Sequence, residues 1–271
     1  MHETVPPILL VGCGKMGGAL LAGWCEKGLA PSVVPPLVVV DPARPAAPAA
    51  GVTVVGSLGE IPAGFRPEAV VFAVKPQFSA TVPDYRPLIG NALVVSIIAG
   101  KTLAWLHQGL GPEAAIVRAM PNTPAAVRQG ITAACPGTGV SPAQRALCAT
   151  LLSAVGEVAW VEDEKLIDPI TAVSGGGPAY VFLLAEVLEA AAIEQGIPPE
   201  LARRLARVTV SGSGALLAAS PESAAQLRIN VTSPKGTTER ALAVLMEKTA
   251  WPELMSKAIA AATARSRELA G

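Results

Sequence analysis

Near its amino terminus the chain reads Ile8-Leu9-Leu10-Val11-Gly12-Cys13-Gly14-Lys15-Met16-Gly17. The uncharged run of Ile, Leu and Val predicts a strand that is buried on both faces, as in a parallel sheet. Three glycines follow at the spacing Gly-x-Gly-x-x-Gly, and Leu20, Leu21 and Trp24 then recur at helical spacing. A strand, a glycine-rich turn and a helix in this order predict a site for a dinucleotide coenzyme.

Each glycine of this turn has a separate physical role. Gly12 permits the tight bend, Gly14 lets the backbone approach a pyrophosphate, and Gly17 lets the helix pack closely against the strand. The helix N-terminus offers free N–H groups and a partial positive charge to the phosphates. Asp41 follows the next predicted strand, 38–40, which is where an acidic residue contacts the adenosine ribose.

The residues after the second strand leave the choice of coenzyme open. Asp41 favours NADH, because its carboxylate binds a ribose 2′-hydroxyl and repels a 2′-phosphate. Arg44 lies three residues further on and offers a guanidinium to the 2′-phosphate of NADPH. We therefore expect both coenzymes to be used.

Strand-like and helical segments alternate up to residue 163. Further strands are predicted at 52–55, 69–74, 93–98, 115–118, 131–135 and 158–161, helices at 103–110 and 142–155, and Pro- and Ala-rich loops at 31–36 and 42–50. This alternation predicts a Rossmann-like α/β fold with a mostly parallel sheet. The strands are expected to end in one crevice, near Gly12, Lys75, Gly100 and Asn122.

Beyond residue 163 the strand-like runs stop and Ala-rich helical patterns replace them. One helix is predicted around 181–192, another from Pro199, and a last one from Trp251. We therefore divide the chain into a Rossmann-like NAD(P)-binding domain, 1–163, and an all-helical domain, 164–271.

The composition narrows the classes of partner. The 271 residues are 51% hydrophobic with a formal net charge of zero, which argues against a nucleic acid or an anionic membrane surface. The mean hydropathy is +0.47, but uncharged stretches such as 169–185 are interrupted by Gly and Pro, so no membrane span is predicted. The apolar composition instead predicts an oligomer with large buried interfaces. The first residues lack the basic region of a signal peptide, so we expect a cytoplasmic protein.

Cysteine and histidine usage argues against several kinds of site. The four cysteines have no Cys-x-x-Cys spacing and are predicted to be buried thiols of a cytosolic protein: Cys13, Cys25, Cys135 and Cys148. The two histidines, His2 and His107, are far apart in the sequence. We therefore expect neither a metal site nor a histidine proton relay.

Two segments of the helical domain are irregular. Residues 171–180 place three glycines and a proline between helical patterns, and residues 230–240 join two helices through a cluster of hydroxyls. Capping explains part of the second segment, with Ser233 or Thr232 as the cap and Glu239 joining it. The run Ser-Pro-x-Gly-Thr-Thr also presents successive N–H groups and hydroxyls suited to a carboxylate, so we expect a substrate site here alongside capping.

Six motifs occur in order along the chain. They are Gly12-x-Gly14-x-Met16-Gly17, Ala73-Val74-Lys75-Pro76-Gln77, Ser96-Ile97-Ile98-Ala99-Gly100, Arg118-x-Met120-Pro121-Asn122-Thr123-Pro124, residues 168–180, and Val231-Thr232-Ser233-Pro234-x-Gly236-Thr237-Thr238. Together they resemble the pyrroline-5-carboxylate reductases over nearly the whole chain, and the last two are specific to that family. The resemblance implies NAD(P)H-dependent reduction of 1-pyrroline-5-carboxylate to L-proline. It also implies that the helical domain binds substrate and forms a homodimer, which in this family often assembles into larger rings such as a decamer.

The resemblance also implies which residues form the site. Asp41 and Arg44, inferred above from their position after the second strand, are the ribose contacts. The pyrophosphate would be held by Gly12, Cys13, Gly14, Lys15, Met16 and Gly17. The other coenzyme contacts would be Ala73, Val74, Lys75, Pro76, Ala99, Gly100, Asn122, Thr171 and Asn230. The substrate would be bound by Glu164, Ser233, Gly236, Thr237 and Thr238. Thr238 would act as the catalytic residue by facing the ring nitrogen.

The scarcity of histidine suits imine reduction, independently of the resemblance. Reducing a ketone creates an alkoxide, so the enzyme needs a positioned acid, commonly His or Lys. A cyclic imine is basic enough to arrive protonated, and hydride addition to an iminium creates no new negative charge. Such an enzyme need only hold the imine carbon against the nicotinamide and anchor the carboxylate.

The chain departs from the family pattern at three places. Gly176 stands where serine is usual, Lys235 stands where glycine is common, and no asparagine occurs around 56–58 to contact the adenosine ribose. We expect the Lys235 side chain to point to solvent.

Two alternative functions remain open at the level of sequence. A β-hydroxyacid dehydrogenase of similar build would need a catalytic lysine on a helix of the helical domain, and Lys165 is the nearest candidate. A non-catalytic NAD(P)-binding protein would bind the coenzyme without turnover. Against the latter, the hydroxyls of Ser233, Thr237 and Thr238 are all retained.

Overall fold

The computed structural model describes residues 6–29 and 37–270, so the loop predicted at 31–36 lies outside the described residues. The chain divides into two compact units. The first comprises Met1–Gly175 together with Thr263–Gly271, and the second comprises Gly176–Ala262. This division reflects contacts between backbone positions, and the functional boundary between 163 and 164 stays a prediction.

The first unit is built on one eight-stranded sheet. Its strands are β1 (Ile8–Val11), β2 (Leu37–Val40), β3 (Val52–Val55), β4 (Ala69–Phe72), β5 (Leu93–Ser96), β6 (Ala115–Met120), β7 (Gly130–Pro136) and β8 (Gly156–Trp160). Their order is β3-β2-β1-β4-β5-β6-β7-β8, and every neighbouring pair is parallel except β6 and β7. The first six strands have the order of a Rossmann fold, as predicted.

Helices connect these strands and cover the sheet. The α-helices of the first unit are α1 (Lys15–Glu26), α2 (Arg86–Ile89), α3 (Leu103–Leu110), α4 (Pro142–Leu152) and α5 (Ile167–Ile170). Short 3₁₀ segments occupy Leu58–Glu60, Pro76–Tyr85, Thr123–Val127, Ser153–Val155 and Glu164–Leu166, and Thr171–Gly175 forms a π-helical turn. The helix predicted at 142–155 is thus α-helical to Leu152 and tightens to 3₁₀ geometry for its last turn.

Strands β1, β2, β4 and β5 of the sheet are buried on both faces. Alternate residues of β1 contribute to two separate cores, Leu10 to one and Leu9 to the other, and both are fully buried. Trp24 of α1 is fully buried in the first of these cores and donates its indole N–H to the Leu151 carbonyl oxygen at 2.8 Å. This hydrogen bond ties the last turn of α1 to the last turn of α4.

The strands that were predicted to converge do end at one edge of the sheet. β1, β4, β5 and β6 are consecutive and parallel, so their carboxyl ends lie side by side. β4 and β5 each end two residues before the predicted limit. The Ala73 N–H still bonds the Val11 carbonyl at 2.8 Å and the Ile97 N–H bonds the Phe72 carbonyl at 3.0 Å, after which the chain leaves the ladder.

The second unit is all-helical, as predicted. It contains α6 (Gly177–Glu194), α7 (Pro199–Ala219), α8 (Ala224–Asn230), α9 (Thr237–Leu245) and the first part of α10 (Trp251–Ala270). Arg203 of α7 forms an ion pair with Glu189 of α6 at 3.1 Å. Of residues 176–262, only Ala202 and Ala206 are buried. A unit with so small a core needs further apolar contacts in order to be stable.

The apolar surface of this unit is concentrated on α6. None of its 18 residues is buried, and its exposed large apolar side chains are Val181, Phe182, Leu183, Val187, Leu188 and Ile193. A helix that is apolar on every side is normally covered by other protein or by lipid. An exposed patch of this kind marks an interface.

One helical stretch, Glu164–Glu194, is long and apolar enough to cross a membrane, by length and composition only. The expectation that no stretch is long and apolar enough for a span is therefore wrong. Gly and Pro do interrupt regular α-helical geometry there, because the π-turn ends at Gly175, Gly176 forms a bend and α6 begins at Gly177. Pro178 lies in the first turn of α6, where its missing N–H has no helical partner to lose.

Close packing at Gly17 predicts the response of the fold to an added methyl group. A Cβ at Gly17 would lie 2.1 Å from the Gly12 carbonyl oxygen, whereas a Cβ at Gly18 would meet nothing closer than 3.7 Å. We expect Gly17→Ala to lower the free energy of unfolding by about 2–3 kcal/mol. The matched control Gly18→Ala should raise it by up to about 1 kcal/mol. Urea unfolding followed by circular dichroism measures both, and equal effects of the two changes would contradict the packing described here.

Candidate coenzyme and substrate sites

The glycine-rich turn has the geometry of a phosphate cradle. Gly12 has a φ of +92°, and a Cβ on it would lie 2.9 Å from the carbonyl carbon of Ala73. Gly17 is equally constrained against Gly12, but an added Cβ on Gly14 would meet nothing within 4 Å. α1 begins after Gly14 without a capping side chain, so its first N–H groups are free for a ligand. The turn therefore fits a coenzyme pyrophosphate.

Cys13 lies in the same turn, and Lys15 and Met16 are the first two residues of α1. The Cys13 N–H donates to Asp41 Oδ2 at 2.6 Å, which fixes the turn to the end of β2. Burial, and secondarily the Asp41 carboxylate, raises the pKa of the Cys13 thiol, so it stays protonated near neutral pH. Of the four cysteines predicted to be buried, Cys135 and Cys148 are buried, whereas Cys13 and Cys25 are only partly so.

The residues predicted to meet the adenosine ribose lie beside a further carboxylate. Asp41 Oδ1 accepts the Ala43 N–H at 2.8 Å. Arg44 has a φ of +45°, and its guanidinium pairs with Glu60 Oε2 at 2.7 Å. The hydrogen bond from the Ser57 hydroxyl, followed by that from the Gly56 N–H and by Arg44, lowers the pKa of Glu60.

Glu60 was not identified from the sequence. The available signal was Ser57-x-x-Glu60, the spacing of a capping box at the start of a short helix. The Ser57 hydroxyl donates to Glu60 Oε1 at 2.9 Å, at the start of the 3₁₀ segment after β3.

The remaining predicted coenzyme contacts of the first unit follow β4, β5 and β6. They are Ala73, Val74, Lys75 and Pro76 after β4, Ala99 and Gly100 after β5, and Asn122 after β6. Asn122 is buried and its Oδ1 accepts the Ile131 N–H at 2.9 Å. Gly100 has a φ of +73°, and a Cβ on it would lie 2.9 Å from the Leu269 carbonyl oxygen. The structure thus places this set at the carboxyl edge of neighbouring strands.

Thr171 and Glu164 are held by bonds within the first unit. Thr171 lies in the π-turn, and its hydroxyl donates to the Ile167 carbonyl at 2.7 Å. Glu164 Oε1 accepts from the buried Arg118 guanidinium and from the Leu103 N–H, each at 2.8 Å. This ion pair neutralises a buried cation, which is a structural role, and a substrate contact for Glu164 stays a prediction.

The second unit brings four of the five predicted substrate residues together between α8 and the start of α9, all except Glu164. Ser233, Thr237 and Thr238 are exposed, and their side chains make no hydrogen bond to another described residue. Gly236 is the residue before α9, and α9 begins without a capping side chain. Free hydroxyls and free N–H groups are thus available at one helix start.

The predicted caps of α9 are wrong. Gly236 occupies the N-cap position. Thr232 instead donates its hydroxyl back to the Arg228 carbonyl at 2.6 Å, and Ser233 makes no cap. Glu239 lies in the first turn of α9, but its Oε2 accepts the Lys235 N–H at 2.7 Å, one residue before the N-cap, so it fixes the preceding turn and does not cap the helix.

Lys235 and Asn230 flank this loop. Lys235 is exposed and has a φ of +60°, a left-handed conformation that favours glycine, which explains why glycine is common there. Asn230 ends α8 and is fixed on both sides of its amide. Its Nδ2 donates to Glu222 Oε2 at 2.9 Å, and its Oδ1 accepts from Gln226 at 2.8 Å. The contribution of Glu222 was missed by the sequence reasoning.

A separate cavity of about 940 Å³ opens at the amino ends of β4 and β5. Its lining includes Arg66, Glu68, Asn91 and Gln144, and none of the predicted site residues. It lies at the opposite edge of the sheet from the glycine-rich turn and takes no part in the candidate site.

Comparison with known proteins finds two family matches in the chain. Residues 164–269 match the family described as pyrroline-5-carboxylate reductase dimerisation, and residues 7–100 match the one described as NADP oxidoreductase coenzyme F420-dependent. The chain is 38% identical to a pyrroline-5-carboxylate reductase of Pseudomonas aeruginosa, with 98% of each chain covered. It is 36% identical to that of Pisum sativum, with 96% of this chain and 94% of the relative covered.

Two solved structures resemble the whole chain. A pyrroline-5-carboxylate reductase of Coxiella burnetii has a TM-score of 0.88 at 34% identity and covers 98% of this chain and 99% of its own. A pyrroline carboxylate reductase of Plasmodium falciparum, solved with NADP bound, has a TM-score of 0.82 at 28% identity, with 99% of each chain covered.

The open space at Gly14 predicts a selective loss of coenzyme binding. Gly14 has an ordinary φ of −70°, so Gly14→Ala should change the free energy of unfolding by no more than about 1 kcal/mol. The methyl group would occupy the space that the pyrophosphate needs. We expect the NADP⁺ dissociation constant, measured by calorimetry, to rise at least about tenfold, equivalent to about 1.4 kcal/mol. Gly18→Ala serves as the control, and unchanged binding by Gly14→Ala would remove the turn from the site.

The left-handed conformation of Lys235 predicts a gain in stability on substitution by glycine. We expect Lys235→Gly to raise the free energy of unfolding by about 1 kcal/mol, because a Cβ is unfavourable at this φ. Lys235→Ala keeps the Cβ while removing the charge, so it should give no such gain. Stabilisation by Ala equal to that by Gly would assign the effect to charge rather than to backbone strain.

Proposed function

The chain belongs to the pyrroline-5-carboxylate reductase family, and we propose that it reduces the cyclic imine 1-pyrroline-5-carboxylate to L-proline with NAD(P)H, the last step of proline biosynthesis. The observation that carries this proposal is the start of α9. Three exposed hydroxyls without partners among the described residues, those of Ser233, Thr237 and Thr238, stand there beside uncapped N–H groups. This is a site for a small carboxylate that also has a nitrogen to be hydrogen-bonded.

The chain's own residues orient the coenzyme, which supplies the hydride when bound. The N–H groups after Gly14 hold the pyrophosphate, and the carboxyl ends of β4, β5 and β6 line the ribose and nicotinamide through the predicted contacts. Asn122, Thr171 and Asn230 complete these contacts. The fixing of Asn230 by Glu222 and Gln226 supports such a role, since an amide held on both sides is pre-organised.

The residues that bind the substrate do not have to donate a proton to a carbon or oxygen atom. Ser233, Gly236 and Thr237 anchor the carboxylate, and the Thr238 hydroxyl bonds the ring nitrogen. The iminium form accepts a hydride at its carbon, and the positive charge on nitrogen is neutralised as the amine forms. A site of hydroxyls and backbone groups is therefore sufficient, because no oxyanion develops that would need a strong acid.

We propose that the apolar surface of α6 is covered by a second copy of the chain in a cytoplasmic homodimer, and that dimers assemble further, to a decamer. The match of residues 164–269 to a dimerisation family favours protein over lipid as the cover for α6. The functional boundary then lies between 163 and 164, with coenzyme binding before it and dimerisation and substrate binding after it.

The alternative functions have less support. A β-hydroxyacid dehydrogenase needs a catalytic lysine on a helix of its helical domain. Lys165 is exposed on the 3₁₀ turn Glu164–Leu166 of the first unit. A non-catalytic coenzyme-binding protein would have no reason to keep three free hydroxyls at the start of α9.

Removal of one hydroxyl tests the reaction. We expect wild-type protein to oxidise NADPH or NADH in the presence of 1-pyrroline-5-carboxylate. Thr238→Ala should lower kcat/KM at least about tenfold, a loss of about 1.4 kcal/mol of transition-state stabilisation. Thr238→Ser keeps the hydroxyl and should retain most of the activity. Activity unchanged in Thr238→Ala would remove Thr238 from the site, and no turnover by wild type despite coenzyme binding would contradict the proposed function.

A further inference from the structure

The residues after β2 and β3 form a cluster of hydrogen-bond donors around the carboxylate of Glu60. Three donors converge on the carboxylate of Glu60: the Arg44 guanidinium at 2.7 Å, the Ser57 hydroxyl at 2.9 Å and the Gly56 N–H at 3.4 Å. A guanidinium, a hydroxyl and a backbone N–H are the groups that proteins use to bind a phosphate. Glu60 therefore occupies a set of donors that would otherwise suit a phosphate.

The cluster lies where a Rossmann fold recognises the 2′-position of the adenosine ribose of a bound coenzyme. β2 and β3 are parallel neighbours, with Val40 beside Val55, so Asp41 and Gly56 leave the sheet side by side. The Asp41 N–H bonds the Val55 carbonyl at 3.0 Å, which holds the two ends together. In a Rossmann fold, the end of β2 is the position that distinguishes a ribose 2′-hydroxyl from a 2′-phosphate.

The absence of a side chain at Gly56 contributes to the arrangement. A Cβ at Gly56 would lie 2.8 Å from the Arg44 guanidinium nitrogens. The guanidinium therefore rests against the backbone after β3, within reach of Glu60. Arg44 in turn is held by a turn in which its N–H bonds the Asp41 carbonyl at 2.9 Å.

The charges of the cluster are unfavourable to a further anion. Asp41 and Glu60 supply two carboxylates and Arg44 supplies one cation, so a 2′-phosphate meets a net negative charge. The phosphate gains Arg44 only if Glu60 releases it. A ribose 2′-hydroxyl meets no such competition, because it is neutral and bonds the Asp41 carboxylate.

We propose that Glu60 is a specificity-determining residue which competes with the 2′-phosphate of NADPH for Arg44, Ser57 and Gly56, and thereby shifts the coenzyme preference toward NADH. This inference rests on coenzyme binding in the proposed function and adds the residue that sets the choice between the two coenzymes. The pair is half-exposed, with 59% and 39% of the two side chains accessible, so the competition is screened by solvent and its effect is moderate.

The opposite role for Glu60 makes an opposite prediction. If Glu60 served to hold Arg44 ready for the phosphate, its removal would weaken NADPH binding and leave NADH unchanged. Competition requires instead that removal of the Glu60 charge strengthens NADPH binding. The sign of the change therefore distinguishes competition from support.

The test is equilibrium binding of NADP⁺ and of NAD⁺ by calorimetry, for wild type, Glu60→Gln and the control Glu113→Gln. Glu113 is exposed before β6, at the opposite edge of the sheet, and its change removes the same charge. We expect Glu60→Gln to tighten NADP⁺ binding about three- to tenfold relative to NAD⁺, a moderate change of the kind that a screened, charge-assisted contact gives. Glu113→Gln should leave the ratio unchanged.

A double-mutant cycle with Arg44 tests the mechanism of the effect. Arg44→Ala should weaken NADP⁺ binding more in the Glu60→Gln background than in wild type, because the guanidinium is then free for the phosphate. An unchanged or lowered NADP⁺ preference in Glu60→Gln, or a cycle without coupling, would overturn this inference.

The same measurements separate this inference from the proposed function. A raised NADP⁺ preference in Glu60→Gln, together with no turnover of 1-pyrroline-5-carboxylate by wild type, would support the role of Glu60 and contradict the reductase activity. Turnover by wild type, together with an unchanged ratio of NADP⁺ to NAD⁺ affinity in Glu60→Gln, would support the reductase activity and overturn the role of Glu60.

Discussion

The contact of Gly17 with the Gly12 carbonyl is the constraint on which the first unit depends. An added Cβ at Gly17 would lie 2.1 Å from that oxygen, and one at Gly12 would lie 2.9 Å from the end of β4. These two close approaches hold β1, α1 and β4 together at the point where the strand order reverses. They also leave Gly14 uncovered and the first N–H groups of α1 without a capping side chain, so the predicted coenzyme site is open as a consequence of the packing. In the proposed function, fold and coenzyme binding share the same three glycines.

The second unit depends on a different constraint, a shortage of internal core. Only two alanines are buried in residues 176–262, while α6 exposes large apolar side chains along its length. The same unit carries the hydroxyl-rich start of α9. The apolar surface of α6 and the loop that is proposed to bind substrate therefore belong to one structural unit. In this account, assembly of the dimer stabilises the unit that recognises the carboxylate.

The sequence predicted the elements of the fold well, because β1, β2 and β4 are continuous apolar runs that are buried on both faces. The sequence predicted helix boundaries and caps less well, because local hydrogen bonds and backbone conformation compete there with the sequence pattern. Residues 169–185 were expected to be too interrupted for a membrane span, but only a bend at Gly176 separates the π-turn from α6, which accommodates Pro178 in its first turn. Ser233 was expected to cap α9, but Gly236 takes that position. Glu60 was not identified because the Rossmann rule concerns the residues that follow β2, whereas Glu60 lies in the segment after β3.

The central claim is that the site reduces a carbon–nitrogen double bond with hydroxyls and backbone N–H groups, since none of its predicted residues is a histidine. The most direct measurement compares coenzyme oxidation with 1-pyrroline-5-carboxylate and with 2-oxo acids, and coenzyme reduction with 3-hydroxy acids, under the same conditions. The account predicts turnover with the cyclic imine alone. Comparable kcat/KM with an oxo or hydroxy acid, or none with the imine in a protein that binds NADP⁺, would contradict it.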